Sequence, residues 1–198
     1  MWLLGAVVKF GEPDVAALDQ DAVFRLARGE NDAIAELYDR HARLMYSLAL
    51  RIVGRQADAE DVLQEVFSQA WRQAARYDAS RGSVGGWLVT LTRSRALDRL
   101  RRARSEPQAA PDEMVAADIP DEAPAADRQL VTEQQASQVR AALDALPDGQ
   151  RIPLELAYYE GLSQSAIANR LNVPLGTIKT RTRQALLRLR EVLAGEVR

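Results

Sequence analysis

The sequence predicts an all-α protein made of two small helical domains that are joined by an acidic flexible linker, with a helix-turn-helix in the C-terminal domain. Aromatic residues make up only 6% of the chain, and Leu, Ala and Arg are abundant, which favours helices. Apolar residues recur at helical spacing, and no segment alternates as a strand does. An acidic, proline-containing segment at residues 105–127 separates the two helical parts.

The first 17 residues are predicted to be an N-terminal tail. They begin with MWLLGAVVKF, which has no basic leader and no clear cleavage site, so we expect no signal peptide. The apolar run is also far shorter than the ~20 residues that a membrane span needs. We therefore expect no membrane insertion and a cytoplasmic location.

The first domain is assigned to residues 18–104. Helical spacing predicts four helices there, at about residues 18–28, 31–53, 57–76 and 84–104. Gly54 is placed to end the second helix. The predicted apolar stripes include Tyr38 and His41 in the second helix and Trp71 in the third, and Trp87 is expected in the core. Residues 77–86 are predicted to be a loop from their Gly and Ser content.

Charge is distributed very unevenly, although the net charge of the chain is only −2. Residues 87–104 carry six Arg and one Asp, and residues 161–198 carry seven Lys or Arg and two Glu. The linker between these parts carries seven acids and neither Lys nor Arg. Two basic blocks on either side of an acidic tether favour two nucleic-acid contacts on one chain.

The second domain is assigned to residues 128–198. We predict a helix at residues 131–146, a turn at the LPDGQ sequence and a helix at residues 152–159, where Pro153 is tolerable only in the first turn. A helix-turn-helix follows, with Ser163 as N-cap and Pro174 opening the second helix. On that helix Thr180, Arg183 and Gln184 lie opposite the apolar face, with Lys179 at the flank. Such side chains suit base edges, Arg for guanine and Gln for adenine.

The third and fourth helices carry opposite charge. The third has an acidic polar face, which is either solvated or docks a basic partner helix, since it cannot favour DNA phosphates. In the fourth helix Arg95, Arg99 and Arg102 line one side. Cations packed so densely repel one another unless phosphates or acids face them.

Several classes of site are excluded or disfavoured by composition. The chain has no cysteine and one histidine, His41. A disulfide, a Cys-ligated zinc, a His-rich metal site and an ordinary Ser-His-Asp triad are therefore ruled out. No catalytic constellation is visible, so we predict no enzyme activity, no cofactor and no metal.

Taken together, the segments LYDRHARLMYSLALRIVG, DAEDVLQEVFSQAW, GGWLVTLTRSRALDRLRR and the C-terminal stretch from LPDGQ onward resemble sigma factors of the extracytoplasmic-function group of the sigma-70 family. The resemblance covers residues 18–193. The helix-turn-helix alone is weakly specific, whereas its combination with the D-x-x-Q-E-x-F motif and the arginine helix is highly specific.

The resemblance implies a transcription initiation factor that binds core RNA polymerase, recognises −10 and −35 promoter DNA, assists promoter opening in a stress response and is restrained by an anti-sigma factor. The implied sites fall into three groups. The polymerase-docking residues are Asp58, Asp61, Gln64 and Glu65. The −10 residues are Asp78, Ser80, Arg81, Ser83, Arg95, Arg99 and Arg102. The −35 residues are Arg170, Thr177 and Arg181 toward phosphates, and Lys179, Thr180, Arg183 and Gln184 toward bases.

Two departures from the family pattern and one alternative remain at this point. Ser94 stands where relatives often have Asn, and Pro153 interrupts a helix that is usually continuous. The alternative is a helix-turn-helix regulator that acts without core polymerase, such as a response-regulator output domain. It explains the C-terminal half but not the acidic helix or the arginine helix, and a pull-down with core polymerase separates the two.

Overall fold

The computed structural model describes residues 13–105 and 140–195. All regular structure within these two ranges is helical, which confirms the predicted all-α class. The two ranges belong to different compact units. The predicted linker, apart from its first residue, and most of the predicted N-terminal tail lie outside the described residues.

Between residues 13 and 105 the N-terminal unit has four α-helices and two short 3₁₀ turns. The helices are α1 (Pro13–Ala27), α2 (Ala33–Val53), α3 (Gln56–Gln73) and α4 (Val84–Ser105), and the 3₁₀ turns are Ala74–Arg76 and Ala79–Arg81. The helix α1 begins five residues before the predicted start, because proline has a helical φ and the first turn needs no N–H. As predicted, α2 ends at Gly54, whose left-handed backbone (φ 77°) lets its N–H donate to the Leu50 carbonyl at 2.8 Å.

The predicted start of the fourth helix at residue 84 is confirmed, so the predicted loop at residues 77–86, which overlapped that helix, is too long by three residues. The helix α4 already begins at Val84, and Gly85 and Gly86 are buried within its first turn. Ser83 stands before the helix, where its Oγ accepts a hydrogen bond from the Gly86 N–H at 3.2 Å. A serine cap can therefore start a helix in a glycine-containing segment that composition alone assigns to a loop.

The core of the N-terminal unit lies where α2, α3 and α4 pack together. Its fully buried members include Leu37, Met45, Val62, Val66 and Leu88. A buried hydroxyl also lies in this core without losing its hydrogen bonds, because Thr92 Oγ1 donates to the Leu88 carbonyl at 2.9 Å.

A buried polar cluster joins α1 to α2. The side chain of Asp19 is 5% exposed, and its Oδ1 accepts a hydrogen bond from Arg40 Nε at 2.7 Å. Its Oδ2 lies 2.7 Å from His41 Nε2. Both carboxylate oxygens are thus engaged with nitrogens of α2, and His41, predicted in the apolar stripe of α2, is buried through this polar contact.

Two aromatic residues that were assigned to buried stripes are half exposed. Trp71 is 48% exposed and Tyr38 is 45% exposed. The Trp71 indole N–H donates to Asn31 Oδ1 at 2.9 Å, and the Tyr38 ring lies 4.9 Å from the Phe67 ring. Both residues lie at the edge of their helix stripes, where helical spacing does not distinguish a core position from a rim position.

In the C-terminal unit residues 140–144 are helical, whereas residues 131–139 of the helix predicted at 131–146 lie outside the described residues. Three helices follow: α5 (Asp148–Tyr159), α6 (Gln164–Leu171) and α7 (Leu175–Gly195). The predicted turn over LPDGQ is wrong beyond Pro147. The Pro147 carbonyl accepts from the N–H groups of Gln150 and Arg151 at 2.7 and 2.9 Å, so the helix starts there. Pro153 consequently lies in the second turn, not the first. Its ring is fully buried, and α5 continues through it.

The helix-turn-helix is formed by α6 and α7. As predicted, Ser163 caps α6, because its Oγ accepts from the Ala166 N–H at 3.1 Å. Asn172 takes the left-handed conformation (φ 52°) that ends α6. Pro174 precedes α7 instead of opening it, and its carbonyl accepts from the N–H of Thr177 at 2.9 Å. The buried side chains of these two helices include Ile167, Ile178, Ala185 and Leu189.

Candidate protein and nucleic-acid interfaces

The helix α3 presents the predicted docking residues, hereafter the acidic strip: Asp58, Asp61, Gln64 and Glu65. Gln64 and Glu65 are exposed, and no described residue forms a hydrogen bond or an ion pair with their side chains. The Asp61 side chain is 54% exposed, whereas that of Asp58 is only 17% exposed. The strip therefore has an open part and a part that is turned toward α4.

Arg99 of α4 binds both carboxylates in the part of the strip that is turned toward α4. Its Nε donates to Asp58 Oδ1 at 2.7 Å, and its Nη2 donates to Asp61 Oδ2 at 2.6 Å. Burial opposes the charge of Arg99, but the bonds to Asp58 and then Asp61 outweigh it and raise the pKa of the guanidinium. The structure thus brings a predicted −10 residue onto two predicted docking residues, a contact that helical spacing within either segment does not show.

The three aligned arginines of α4 have different surroundings. Arg95 Nε donates to Gln69 Oε1 of α3 at 2.7 Å, so this guanidinium also faces α3. Arg102 lies one turn beyond Arg99, is exposed, and has no ion pair with a described residue. Among the three, Arg102 is the one whose charge is open to a phosphate without a prior rearrangement of the N-terminal unit.

The segment between α3 and α4 is tied together by its own polar groups. Asp78 Oδ1 accepts from the backbone N–H of Ser80 at 2.9 Å and from its hydroxyl at 2.7 Å. The hydrogen bonds from Ser80 lower the pKa of the Asp78 carboxyl. Of the other two predicted site residues here, Arg81 is exposed, and Ser83 is half-buried with its hydroxyl engaged at the start of α4.

An aromatic pair forms the base of this loop. The Tyr77 hydroxyl donates to the Gly82 carbonyl at 2.8 Å, and the Tyr77 ring lies 5.4 Å from the Trp87 ring. Gly82 has a φ of 147°, which disfavours any residue with a Cβ. Burial, and then the negative charges of Asp19 and Asp78, raise the pKa of Tyr77. The loop is therefore held in a defined shape over a half-buried tryptophan.

On α7 the predicted base-reading residues share the outward side. Lys179, Thr180, Arg183 and Gln184 are all exposed. The Thr180 hydroxyl donates to the Gly176 carbonyl at 3.0 Å, which leaves its methyl group and an acceptor lone pair for other contacts. Arg183 has no hydrogen bond or ion pair with a described residue, so its guanidinium is free for a base edge or a phosphate.

The predicted phosphate contacts are less uniform. Arg170 forms an ion pair with Glu160, and Thr177 is half-buried at the start of α7. Arg181 packs against the start of α5, where a Cβ added to Gly149 would lie 3.5 Å from the guanidinium carbon. Arg181 therefore lies between the start of α5 and the exposed face of α7.

Two features of these surfaces escaped sequence reasoning. Gln150 of α5 contacts both Gln184 and Arg188 of α7. The second feature is the exposure of Tyr38 on α2 and Trp71 on α3, whose rings are half exposed. Both features depend on contacts between helices. For Tyr38 and Trp71 the only sequence signal was their place at the margin of an apolar stripe.

No described helix is long and apolar enough to cross a membrane. Within residues 13–105 and 140–195, no three His, Asp or Glu side chains are grouped so that they could hold a metal ion.

Comparison with family models identifies both units. Residues 37–106 match sigma-70 region 2, and residues 142–191 match sigma-70 region 4. The region 2 match includes α3 and α4. A helix-turn-helix regulator that acts without core polymerase does not account for that match, so this alternative is set aside.

Relatives along most of the chain carry the same assignment. The ECF RNA polymerase sigma factor SigK of Mycobacterium ulcerans is 38% identical over 88% of this chain and 94% of its own length. SigK of Mycolicibacterium vanbaalenii is 38% identical over 96% of each chain. SigE of Rhodobacter sphaeroides, solved in complex with the anti-sigma ChrR, is 30% identical over 85% of this chain and 96% of its own, with a TM-score of 0.44. The chain therefore belongs to the sigma-70 family, among the ECF RNA polymerase sigma factors, and is a promoter-specific transcription initiation factor and not an enzyme.

Proposed function

We propose that the acidic strip of α3 is the surface by which this sigma factor docks on core RNA polymerase. The observation that carries the proposal is the exposed, unpaired Gln64–Glu65 pair next to Asp61, because an acidic surface of this kind suits a basic helix and repels nucleic acid. The half-exposed Trp71, two helical turns beyond Gln64 on α3, adds an apolar margin to the same side of the helix. A binding assay with purified core polymerase tests the proposal.

We further propose that α4 and the loop before it hold the −10 element once it is unpaired. Arg102 would contact the strand backbone directly, and Arg95 and Arg99 would do so from their positions beside α3. The loop at residues 78–83 would receive an extruded base, which requires a preformed pocket because unstacking a base costs a few kcal/mol. The fixed shape of the Tyr77–Gly82 turn supports this role.

Promoter opening should fail selectively when charge is removed from α4. We expect Arg102→Ala to reduce open-complex formation while closed binding is largely retained, since the strand is captured only after unpairing. Permanganate reactivity of unpaired thymines at the −10 element measures the effect. Arg28→Ala, which removes an exposed arginine from the same unit, is the control. Wild-type footprints for Arg102→Ala would contradict the assignment.

We propose that α7 enters the major groove of the −35 element. Lys179, Thr180, Arg183 and Gln184 would face base edges, and Arg170, Thr177 and Arg181 would contact phosphates, since phosphate contacts position a domain and base contacts specify it. The support is the exposure of Arg183 on the outward side of a capped helix-turn-helix. In vitro transcription with core polymerase on a promoter library tests both DNA proposals together.

Two arginines of α7 should behave differently when they are replaced. Arg183→Ala should change the preferred −35 sequence, because a bidentate Arg–guanine contact discriminates by ~1–3 kcal/mol. Arg181→Ala should weaken binding to all sequences alike and flatten the salt dependence. Selection from randomised −35 DNA distinguishes the two. An unchanged sequence preference for Arg183→Ala would show that the recognition face is misassigned.

Regulation and location are proposed from the family. We propose that an anti-sigma protein restrains this factor in a stress response, as the relative SigE was solved with such a partner, and that the complex forms in the cytoplasm, where core polymerase acts. Co-purification of the tagged chain from uninduced cells, followed by release of the partner on addition of excess core polymerase, tests the proposal.

A further inference from the structure

A chain of two hydrogen bonds connects the start of α5 with the exposed side of α7. Arg188 Nη1 donates to Gln150 Oε1 at 3.2 Å. Gln150 Nε2 in turn donates to Gln184 Oε1 at 3.2 Å. Gln184 and Arg188 are one turn apart on α7 and exposed, whereas Gln150 is half-buried between them.

The direction of this chain is fixed by chemistry. A guanidinium can only donate, whereas a primary amide has an accepting end and a donating end. Arg188 therefore requires the oxygen of Gln150, which turns the Gln150 NH₂ toward Gln184. That NH₂ requires the oxygen of Gln184, so the Gln184 NH₂ is left pointing away from α5. Turning either amide around would place two donors against each other.

An outward NH₂ group selects among base edges. In the major groove guanine offers the acceptors O6 and N7, and thymine offers O4, whereas cytosine offers only the N4 donor. Adenine offers one acceptor and one donor. A free glutamine can pair with adenine through both of its ends, but here the accepting end already receives the bond from Gln150.

We propose that Gln150 is a positioning residue for promoter recognition, which holds Gln184 with its amide NH₂ toward the groove, so that the base read by Gln184 is selected for an acceptor edge, guanine or thymine, and against cytosine. This rests on the proposed entry of α7 into the −35 major groove. It goes beyond that proposal because it assigns a polarity to one contact and a role to a residue outside the recognition helix.

Gln150 relays the hydrogen bonds from Arg188 to Gln184, and replacing it with glutamate should reverse the orientation of the Gln184 amide. In Gln150→Glu the carboxylate still accepts from Arg188 but offers Gln184 only an acceptor. Gln184 then turns its NH₂ inward and its oxygen toward the groove, where cytosine or adenine becomes the preferred base. Selection from randomised −35 DNA, with the full chain assembled on core polymerase, should show a shift of roughly tenfold in the cytosine-to-guanine ratio at one position.

Three further variants make the result decisive. Gln184→Ala identifies the position by abolishing its preference, in the wild-type and the Gln150→Glu background alike. Gln150→Met, which keeps the shape but not the hydrogen bonds, should broaden the preference there. Gln164→Glu introduces the same negative charge on α6, away from Gln184, and should leave the base preference unchanged. An added negative charge by itself weakens binding to all DNA sequences alike and does not change the preference at one position.

The outcomes separate this inference from the proposal beneath it. If Gln184→Ala changes one position but Gln150→Glu changes none, or weakens all sequences alike, the relay is overturned and −35 recognition by α7 stands. If neither Gln184→Ala nor Arg183→Ala changes any position, recognition by this face fails and the relay fails with it. Thermal unfolding of each variant should match the wild type, which excludes a merely structural effect.

Discussion

Replacing Glu65 with arginine should lower the affinity for core polymerase by roughly a hundredfold while the fold is retained. Glu65 is exposed in the open part of the acidic strip and has no ion pair with a described residue, so the change leaves intramolecular contacts intact. At a desolvated interface, charge reversal replaces attraction by repulsion and costs a few kcal/mol, and every 1.4 kcal/mol is tenfold in affinity. Titration of labelled protein with core polymerase measures the loss.

Asp39→Arg is the matched control for this experiment. It makes the same charge change at an exposed carboxylate of the same unit, on α2 and outside the acidic strip, and should bind core polymerase as the wild type does. Asp61→Arg should also weaken binding, but it places an arginine beside Arg99 and is less easily interpreted. Normal affinity of Glu65→Arg, with wild-type helical content by circular dichroism, would remove α3 from the interface.

Replacing Asp19 with alanine should destabilise the N-terminal unit by about 3–5 kcal/mol. Asp19 is a buried carboxylate between Arg40 and His41. Its removal leaves the largely buried Arg40 guanidinium with only the more distant Glu36 carboxylate, 3.7 Å from its Nη1. Removing one partner of a buried ion pair is strongly destabilising because the remaining charge is poorly compensated. Asp19→Asn keeps one accepting oxygen and should lose less.

Tryptophan fluorescence during urea unfolding measures this loss in the full chain. In a Trp2→Phe background the two remaining tryptophans, Trp71 and Trp87, both lie in the N-terminal unit, so the signal reports the unfolding of that unit. Asp21→Ala is the control, because Asp21 is 62% exposed in its ion pair with Arg25 and such pairs contribute 0–1 kcal/mol. Equal midpoints for Asp19→Ala and Asp21→Ala would refute a stabilising role for the buried cluster.

Helical spacing, capping residues and Gly54 were enough to predict most of the helices from the sequence. The ends of α2 at Gly54 and the cap of α6 at Ser163 were predicted correctly because each depends on one local hydrogen bond. The errors were at places where distant contacts decide. Trp71 was assigned to the core although it is half exposed, and Pro153 was expected in a first turn although its burial lets α5 continue through it.

The candidate sites were predicted as sets of residues but not as contacts. Spacing along α4 aligned Arg95, Arg99 and Arg102, yet it could not show that the first two face α3. Likewise the outward side of α7 could be read from its own periodicity, whereas Gln150 lies 34 residues before Gln184 and reaches it only through the packing of α5 on α7. Contacts between helices depend on crossing geometry, which local periodicity does not contain.

The bridge from Arg99 to Asp58 and Asp61 has a consequence for how mutational data on this unit are read. Substitutions at residues that share a partner are not additive, and coupling energies of 0.5–3 kcal/mol are usual. Replacing Asp58 with alanine also removes a hydrogen-bond partner of Arg99 on α4. An alanine scan of α3 would therefore assign Asp58 to the polymerase interface even if polymerase did not contact it. Only double substitutions that include Arg99 can separate the loss of polymerase contact from the loss of the Arg99 bridge. For a geneticist, the acidic strip of α3 and the arginines of α4 are therefore one epistatic unit.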